Sequence, residues 1–222
     1  MSTEPRVSLV KQPWAWALVA FLAAGVATTA LWTRRATGPA PISGAARGAE
    51  GLQSFGKVPP FSLTERSGST VQASDMNGKV WIADFIYTNC TDTCPLQSAE
   101  MKRLQDRFAG EPDFRLVSFS VDAKRDTPPV LTKYATRFGA DASRWLFLTG
   151  SEGAVRRLAE DGFHLAATEI ANPKGGAPEQ LHSPRFALVD RSGEIRGYYV
   201  STEKEALARL GRDAEALFRR AG

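Results

Sequence analysis

Apolar residues change their spacing along the chain, and each spacing predicts a different kind of element. From 80 to 89 the sequence VWIADFIYTN is a nearly continuous apolar and β-branched run, which is typical of a central strand covered on both faces. Apolar residues then recur at approximately helical spacing from Leu96 to Phe108, and Pro95 suits the first turn of such a helix. The pattern therefore predicts a buried strand that leads directly into a helix.

The remaining sequence after position 59 continues this alternation of strands and helices. Short extended pieces at 59–79 predict an opening hairpin around a Ser-Gly turn, and two strand–helix pairs follow at 114–139 and 144–160. A hairpin at 185–200 and an amphipathic helix at 202–221 complete the pattern. This order predicts an α/β domain at 59–222, with a thioredoxin-like central sheet and flanking helices.

The amino-terminal region carries a different signal. Positions 14–32, after a short tail at 1–13, form a stretch of 19 residues without a charge, and a tryptophan stands at each end. At about 1.5 Å per residue this length crosses most of a hydrocarbon core about 30 Å thick. A cleaved signal peptide is the alternative, but its apolar core is usually about 7–15 residues long. We therefore predict one transmembrane helix that serves as an anchor.

Between the anchor and the predicted domain, residues 33–58 are rich in Gly, Ala, Pro and Ser, which predicts a flexible linker. The formal net charge of +4 comes mostly from the ends of the anchor, because 24 basic and 23 acidic residues remain after position 35. No basic stripe is left to bind a nucleic acid.

Basic residues on the two sides of the anchor bear on its orientation. Arg6 and Lys11 precede it, whereas Arg34, Arg35 and Arg47 follow it. Because cytoplasmic flanks carry the excess of Lys and Arg, this count slightly favours a cytoplasmic location for the carboxyl-terminal part.

The chain has two cysteines, Cys90 and Cys94, and both lie between the predicted buried strand and the start of the following helix. Free backbone N–H groups and the helix dipole favour a thiolate at such a place, and we expect the effect to be largest for Cys94, beside Pro95. A structural disulfide would close too short a loop to add much stability. A closed structural zinc site is also disfavoured, because it would need four ligands and the sequence has no second Cys or His pair.

Two histidines are candidates for a third ligand. His164 lies in an alternating apolar stretch, which predicts a strand residue with an ordinary surface role. His182 ends a Gly- and Pro-rich loop just before a predicted core strand, whose start should lie near the cysteines in a thioredoxin-like sheet. Two thiolates and one imidazole suit Cu(I), and the imidazole can also support Cu(II), although the same set can hold catalytic zinc.

Three segments carry a resemblance to a known family. GKVWIADFIYTNCTDTCPLQSAEM, VSFSVDAKRDTPPVLTKYATRFGAD and HSPRFALVDRSGEIRGYY occur in this order within about 58–218. Their Cys-x-x-x-Cys-Pro, Asp-Thr-Pro and histidine–hairpin motifs resemble those of the Sco/SenC proteins. This resemblance implies a membrane-anchored, thioredoxin-fold copper metallochaperone that assists assembly of the copper centre of cytochrome c oxidase.

The resemblance also implies residue roles and a location. Cys90, Cys94 and His182 would bind one copper ion, and the copper-bearing oxidase subunit would be the partner. The single-pass anchor would lie in a bacterial inner membrane with the soluble domain in the periplasm, which conflicts with the count of basic residues. Many members of the family have Asp before the histidine, whereas this chain has Leu181 and lacks that carboxylate to orient the imidazole.

Asp84 supports an alternative function. It interrupts the apolar strand six residues before Cys90, an offset similar to that of the buried acid of thioredoxin. A buried, unpaired carboxyl group should have a raised pKa, whereas a hydrogen-bonded strand aspartate would be unremarkable. The alternative is a thiol:disulfide oxidoreductase in which Cys90 and Cys94 are the redox pair, and a copper- or redox-sensing module is a third class. Asp122 and Asp126 are interpreted as a turn acid and a helix-start acid rather than as ligands.

Overall fold

A computed structural model describes residues 51–165 and 184–219, and seven strands in these ranges form one sheet. The strands are β1 (Ser62–Glu65), β2 (Thr70–Gln72), β3 (Val80–Ile86), β4 (Phe114–Ser120), β5 (Trp145–Thr149), β6 (Arg185–Val189) and β7 (Ile195–Val200). Their order across the sheet is β2-β1-β5-β4-β3-β6-β7. The central strands β3, β4 and β5 are parallel, whereas the outer strands pair antiparallel.

Helices cover both faces of this sheet. They are α1 (Thr93–Arg107), α2 (Pro128–Arg137), α3 (Glu152–Arg157) and α4 (Lys204–Phe218). A 3₁₀ turn precedes β3, and a π-helical turn at Leu158–Gly162 extends α3. Residues of α1, α2 and α4 share one apolar cluster with one face of β3, and residues of α3 share a second cluster with the other face.

The central position of β3 follows from its composition. All seven of its residues are buried, as the continuous apolar run predicts. Since side chains alternate across a strand, Ile82 and Ile86 face α1 while Trp81 and Phe85 face α3. Asp84 shares the parity of Ile82 and Ile86, so it belongs to the face on which both cysteines are buried.

The predicted α/β class, the opening hairpin and the closing hairpin are confirmed. The final helix begins at Lys204 and ends at Phe218, so it is shorter than the predicted range of 202–221. The prediction for His164 is wrong in one respect: this residue is exposed, as expected, but lies outside any strand with a φ of 49°. Hydrogen bonds turn the chain back at this point, and one of them joins the Leu165 N–H to the Ala159 carbonyl at 2.9 Å.

The end of the predicted linker also differs from expectation. Phe55 N–H and Val58 N–H donate to the carbonyls of Ile195 and Gly193, each at 2.9 Å. Residues 55–58 therefore run along the closing hairpin and belong to the folded domain. The predicted anchor at 14–32 lies outside the described residues, and within 51–165 and 184–219 no helix has the length and apolarity needed to cross a bilayer.

Candidate metal centre

Cys90 closes a tight turn at the carboxyl end of β3. Its backbone N–H donates to the Tyr87 carbonyl at 3.2 Å, and its side chain is almost fully buried. Parallel strands end at the same edge of a sheet, so the end of β4 lies beside this turn, and the Val121 N–H donates to the Ile86 carbonyl at 2.9 Å. The cysteine turn is thus anchored to the ends of β3 and β4.

Cys94 lies in the first turn of α1, where backbone N–H groups have no partner within the helix. One of these groups, its own N–H, points to the sulfur of Cys90, with 3.4 Å between the Cys94 nitrogen and the Cys90 Sγ. Cys94 is completely buried, and both residues are free thiols. The strand-to-helix junction therefore brings both sulfurs into one small region, as the spacing predicts.

The surroundings of the two thiols shift their pKa values in opposite directions. Burial alone would raise the pKa of Cys90, but hydrogen bonds from the Cys94 thiol, the backbone of Cys94 and Asp92, and the Tyr87 side chain lower it below its ordinary value. Burial raises the pKa of the Cys94 thiol far above its ordinary value, and the hydrogen bond to Cys90 raises it further. The expectation that the thiolate would be favoured most at Cys94 is wrong, because the N–H groups at the start of the helix donate to the sulfur of Cys90.

Asp84 lies below this pair as a fully buried carboxyl group. Within the described ranges, neither of its carboxylate oxygens has a well-formed hydrogen bond. Its neighbour on β4, Ser118, accepts a hydrogen bond from the Trp145 indole N–H at 2.9 Å, and its hydroxyl lowers the pKa of Asp84 by less than burial raises it. Burial consequently raises the pKa of Asp84 to about 7, against a smaller lowering effect of Ser118. Of the two alternatives that the sequence leaves open for Asp84, the structure favours the buried, unpaired carboxyl group.

Two further residues touch the cysteine region: the sequence identified Asp126 only as a helix-start acid and gave no role to Tyr134. The Asp126 carboxylate accepts hydrogen bonds from Thr88 in the cysteine turn, and the Tyr134 hydroxyl lies 3.4 Å from the carbonyl oxygen of Cys94. The neighbouring ends of parallel strands were a signal that could have placed Asp126 beside Thr88. Helical spacing alone gave no signal for Tyr134.

The third predicted ligand, His182, lies outside the described residues. Within residues 51–165 and 184–219, no three His, Cys, Asp or Glu side chains are grouped so that they could hold a metal ion. His164 is not brought to the cysteines, because its neighbours Phe163 and Leu165 pack in the apolar cluster on the opposite face of the sheet. The described part of the centre is thus a pair of thiols.

The start of β6 lies at the same edge of the sheet as the cysteine turn. Ala187 of β6 is paired antiparallel with Ala83 of β3, so the chain before Ala187 runs toward the carboxyl end of β3. Arg185, the first residue of β6, is therefore near the end of β3 that leads into the cysteine turn. Two sulfur donors at this edge form a soft site, which favours Cu(I) over hard cations such as Mg²⁺.

Comparison with known proteins identifies relatives over most of the chain. The SCO1/SenC family model matches residues 50–212. The SCO1 protein homolog of Bacillus subtilis (strain 168) is 34% identical over 149 residues, which cover 66% of this chain and 75% of the relative. BsSco, described as a member of the Sco family of cytochrome c oxidase assembly proteins with a disulfide switch, has a similar structure. The TM-score is 0.62 at 31% identity, covering 74% of this chain and 94% of that one.

A metal-bound structure is also similar. It is ScoI of Bradyrhizobium japonicum with copper bound, with a TM-score of 0.55 at 26% identity. The similarity covers 71% of this chain and 99% of that chain. The mixed sheet and flanking helices described above therefore match the thioredoxin-like fold of these structures.

Proposed function

Because this chain belongs to the SCO1/SenC family, we propose that it is a copper metallochaperone that binds one copper ion through Cys90, Cys94 and His182. Its partner is the copper-bearing subunit of cytochrome c oxidase, whose copper centre it helps to assemble. Residues 14–32 anchor it as a single-pass protein in a bacterial inner membrane, with the folded domain in the periplasm. The observation that carries the proposal is the pair of free, buried thiols at the strand-to-helix junction.

The proposed ligand set is supported by the fold as well as by the sulfur chemistry. Arg185 begins β6 at the cysteine edge of the sheet, and His182 precedes it by three residues. Three residues of extended chain span at most about 10–11 Å, and this short separation in sequence supports His182 as the third ligand of the proposal. The donor set fits Cu(I) through the thiolates, and the imidazole also allows Cu(II).

The difference between the thiols suggests an order of events in copper transfer. Cys90, whose pKa is lowered, supplies the first thiolate, whereas Cys94, whose pKa is raised, releases its proton as copper binds. Incoming thiols or imidazoles of the oxidase subunit then replace the three donors one at a time, so the ion is never free. Oxidation of the thiols to a disulfide removes two donors and links copper occupancy to redox state.

A titration of the reduced, detergent-solubilised full chain with Cu(I) and Cu(II) tests this function. We expect His182→Ala to weaken Cu(II) binding by more than about 100-fold, because loss of a direct ligand should exceed the 10–100-fold effect of outer-shell changes. His164→Ala is the matched control, since this exposed histidine lies on the other side of the sheet, and it should bind copper like the wild type. If both variants bound copper with equal affinity, His182 would not be a copper ligand.

A thiol:disulfide oxidoreductase is the second candidate, and one specific observation favours it. The sulfur with the lowered pKa stands next to a thiol with a raised pKa, and the negative charge of Asp84 contributes to the latter. Nucleophilic attack by Cys90 and resolution by Cys94 would use this difference. Rapid reduction of an oxidised oxidase peptide by the copper-free protein, together with unchanged copper binding in His182→Ala, would favour this function over the chaperone.

A further inference from the structure

Asp126 connects the cysteine turn to the rest of the domain. Its completely buried carboxylate accepts hydrogen bonds from the Thr88 backbone N–H at 3.0 Å and from the Thr88 hydroxyl at 2.6 Å. A third hydrogen bond comes from the Ser120 hydroxyl at the end of β4, at 2.5 Å. Hydrogen bonds to an ionised carboxylate are shorter and stronger than neutral ones. The carboxylate therefore fastens Thr88 to the end of β4.

This attachment fixes the position of Cys90. Thr88 lies inside the turn that the Cys90 N–H closes onto the Tyr87 carbonyl. Because Asp126 binds both the backbone and the side chain of Thr88, the turn cannot rotate about that residue without breaking two hydrogen bonds. The sulfur two residues later is held by the same contacts.

The same segment also contacts the region around Cys94. Helix α2 begins directly after Asp126, with Thr127 as its N-cap. Two turns along it, the buried Tyr134 hydroxyl lies 2.8 Å from the Ser98 hydroxyl of α1 and 3.4 Å from the Cys94 carbonyl oxygen. One continuous segment thus contacts the local backbone of each cysteine, although the two contacts are made on different elements.

We propose that residues 126–134 act as a brace that sets the distance between the Cys90 and Cys94 sulfurs, and that Asp126 is its principal positioning residue. Asp126 does not touch either sulfur in this account; it acts through Thr88. The inference rests on the proposed function only for copper, because the spacing of two thiols can be measured without any metal. It extends the site beyond its ligands to a carboxylate on a neighbouring loop.

The test is Asp126→Asn in the full chain. The amide keeps the shape of the carboxylate but replaces one of its two acceptor oxygens with an NH₂ group, which cannot accept the hydrogen bonds that this oxygen now receives from Thr88 or Ser120. In glutathione redox buffers, the two thiols transfer two electrons and two protons to glutathione disulfide, which yields two glutathione thiols. A looser turn lowers the effective concentration of one thiol at the other, so we expect the equilibrium constant for forming the Cys90–Cys94 disulfide to fall about tenfold.

Copper affinity supplies a second readout. We expect Asp126→Asn to weaken Cu(I) binding about tenfold, at the lower end of the effects of residues that orient metal ligands. Thr88→Val removes one hydroxyl and should change both readouts in the same direction by a smaller factor. It keeps the test decisive if Asp126→Asn does not fold. Tyr134→Phe tests the other end of the brace, and we expect a two- to threefold change, on the order of a single weak contact.

Asp190→Asn is the matched control. Asp190 is also a buried carboxylate with several hydrogen bonds, but it lies in the turn between β6 and β7, at the opposite end of the sheet. It should lower stability without changing the disulfide equilibrium. If Asp126→Asn and Thr88→Val both leave that equilibrium within twofold of the wild type, the brace is refuted. If wild type binds no copper but the disulfide equilibrium shifts as expected, the copper function fails and the brace stands.

Discussion

Asp190 and Asp84 are buried carboxyl groups at opposite ends of the sheet, and their surroundings shift their pKa values in opposite directions. At the hairpin end, the turn between β6 and β7, Asp190 is 2% exposed and accepts hydrogen bonds from Ser192, Glu194 and Arg196. Although burial alone raises it, these bonds hold the pKa of Asp190 below its ordinary value. At the cysteine end, the carboxyl end of β3, Asp84 is 0% exposed and its pKa is raised to about 7 by burial.

This difference separates a structural group from one that costs stability. The charge of Asp190 is matched by donors and closes a turn, which stabilises the fold. The charge of Asp84 has no such match and sits where it raises the pKa of Cys94. Perturbed buried acids of this kind cluster at functional sites, where proteins tolerate a loss of stability. The unmatched charge of Asp84 therefore marks the cysteine end of the sheet as the functional end.

The largest effect on stability is expected from Asp84→Asn, which removes the unmatched charge. Asp84 has an ordinary pKa of 3.8 when unfolded and a pKa of about 7 when folded, so between these values only the unfolded chain releases the proton. Stability supplied by the protonated group is fully present below pH 3.8 and is lost as the pH rises through about 7. At pH 8 the asparagine variant should be more stable than the wild type by at most about 4 kcal/mol.

Urea unfolding of both proteins at pH 4.5 and pH 8 measures this difference. The gap should be small at pH 4.5 and large at pH 8. Asp106→Asn is a suitable control, because this carboxylate is exposed on α1 and its replacement should change stability by less than about 0.5 kcal/mol at either pH. A gap that is the same at both pH values would mean that Asp84 does not change its protonation on folding.

Asp190→Asn should have the next largest effect and the opposite sign. The variant loses a charge-assisted hydrogen bond from Arg196 at 2.6 Å and weakens the contacts to Ser192. We expect a loss of about 2–3 kcal/mol at neutral pH, since hydrogen bonds to charged groups are worth about 1.5–3 kcal/mol. Because the folded pKa of Asp190 is lowered, its contribution is present above the unfolded pKa and disappears as the pH falls through the folded pKa.

Thermal unfolding at pH 7 and at pH 3 or below checks this sign. The two proteins should converge in acid and diverge at neutral pH, the reverse of the trend for Asp84→Asn. Copper affinity at neutral pH should match that of the wild type, because the turn is remote from the cysteines. A variant that loses copper affinity as well as stability would show that the two ends are coupled.

Local sequence patterns predicted most of the fold and the position of the two cysteines, but not the relative acidity of the two thiols or the contacts of Asp126. The apolar run of β3 and the turn around Gly68, whose φ is +90°, depend on neighbouring residues, so periodicity and turn composition were sufficient. The order of thiol acidity was predicted wrongly because it depends on which N–H groups meet which sulfur. Asp126 was missed as a positioning residue because its partner, Thr88, is 38 residues away. The role of His182 stays a prediction.

Gly193→Ala should have the smallest effect and test whether the hairpin end serves structure alone. Gly193 has a φ of +82°, and its N–H closes the turn onto the Asp190 carbonyl at 3.0 Å. An added Cβ would meet only the Lys57 side chain, at 3.6 Å or more, so the cost comes from the left-handed backbone and should be about 1 kcal/mol. Gly110→Ala has no positive φ and no neighbour within 4 Å, so it should leave stability unchanged or slightly raised. Urea unfolding and Cu(I) titration of both variants measure these effects. If Gly193→Ala changed copper affinity while the free energy of unfolding stayed the same, the turn would not have a purely structural role.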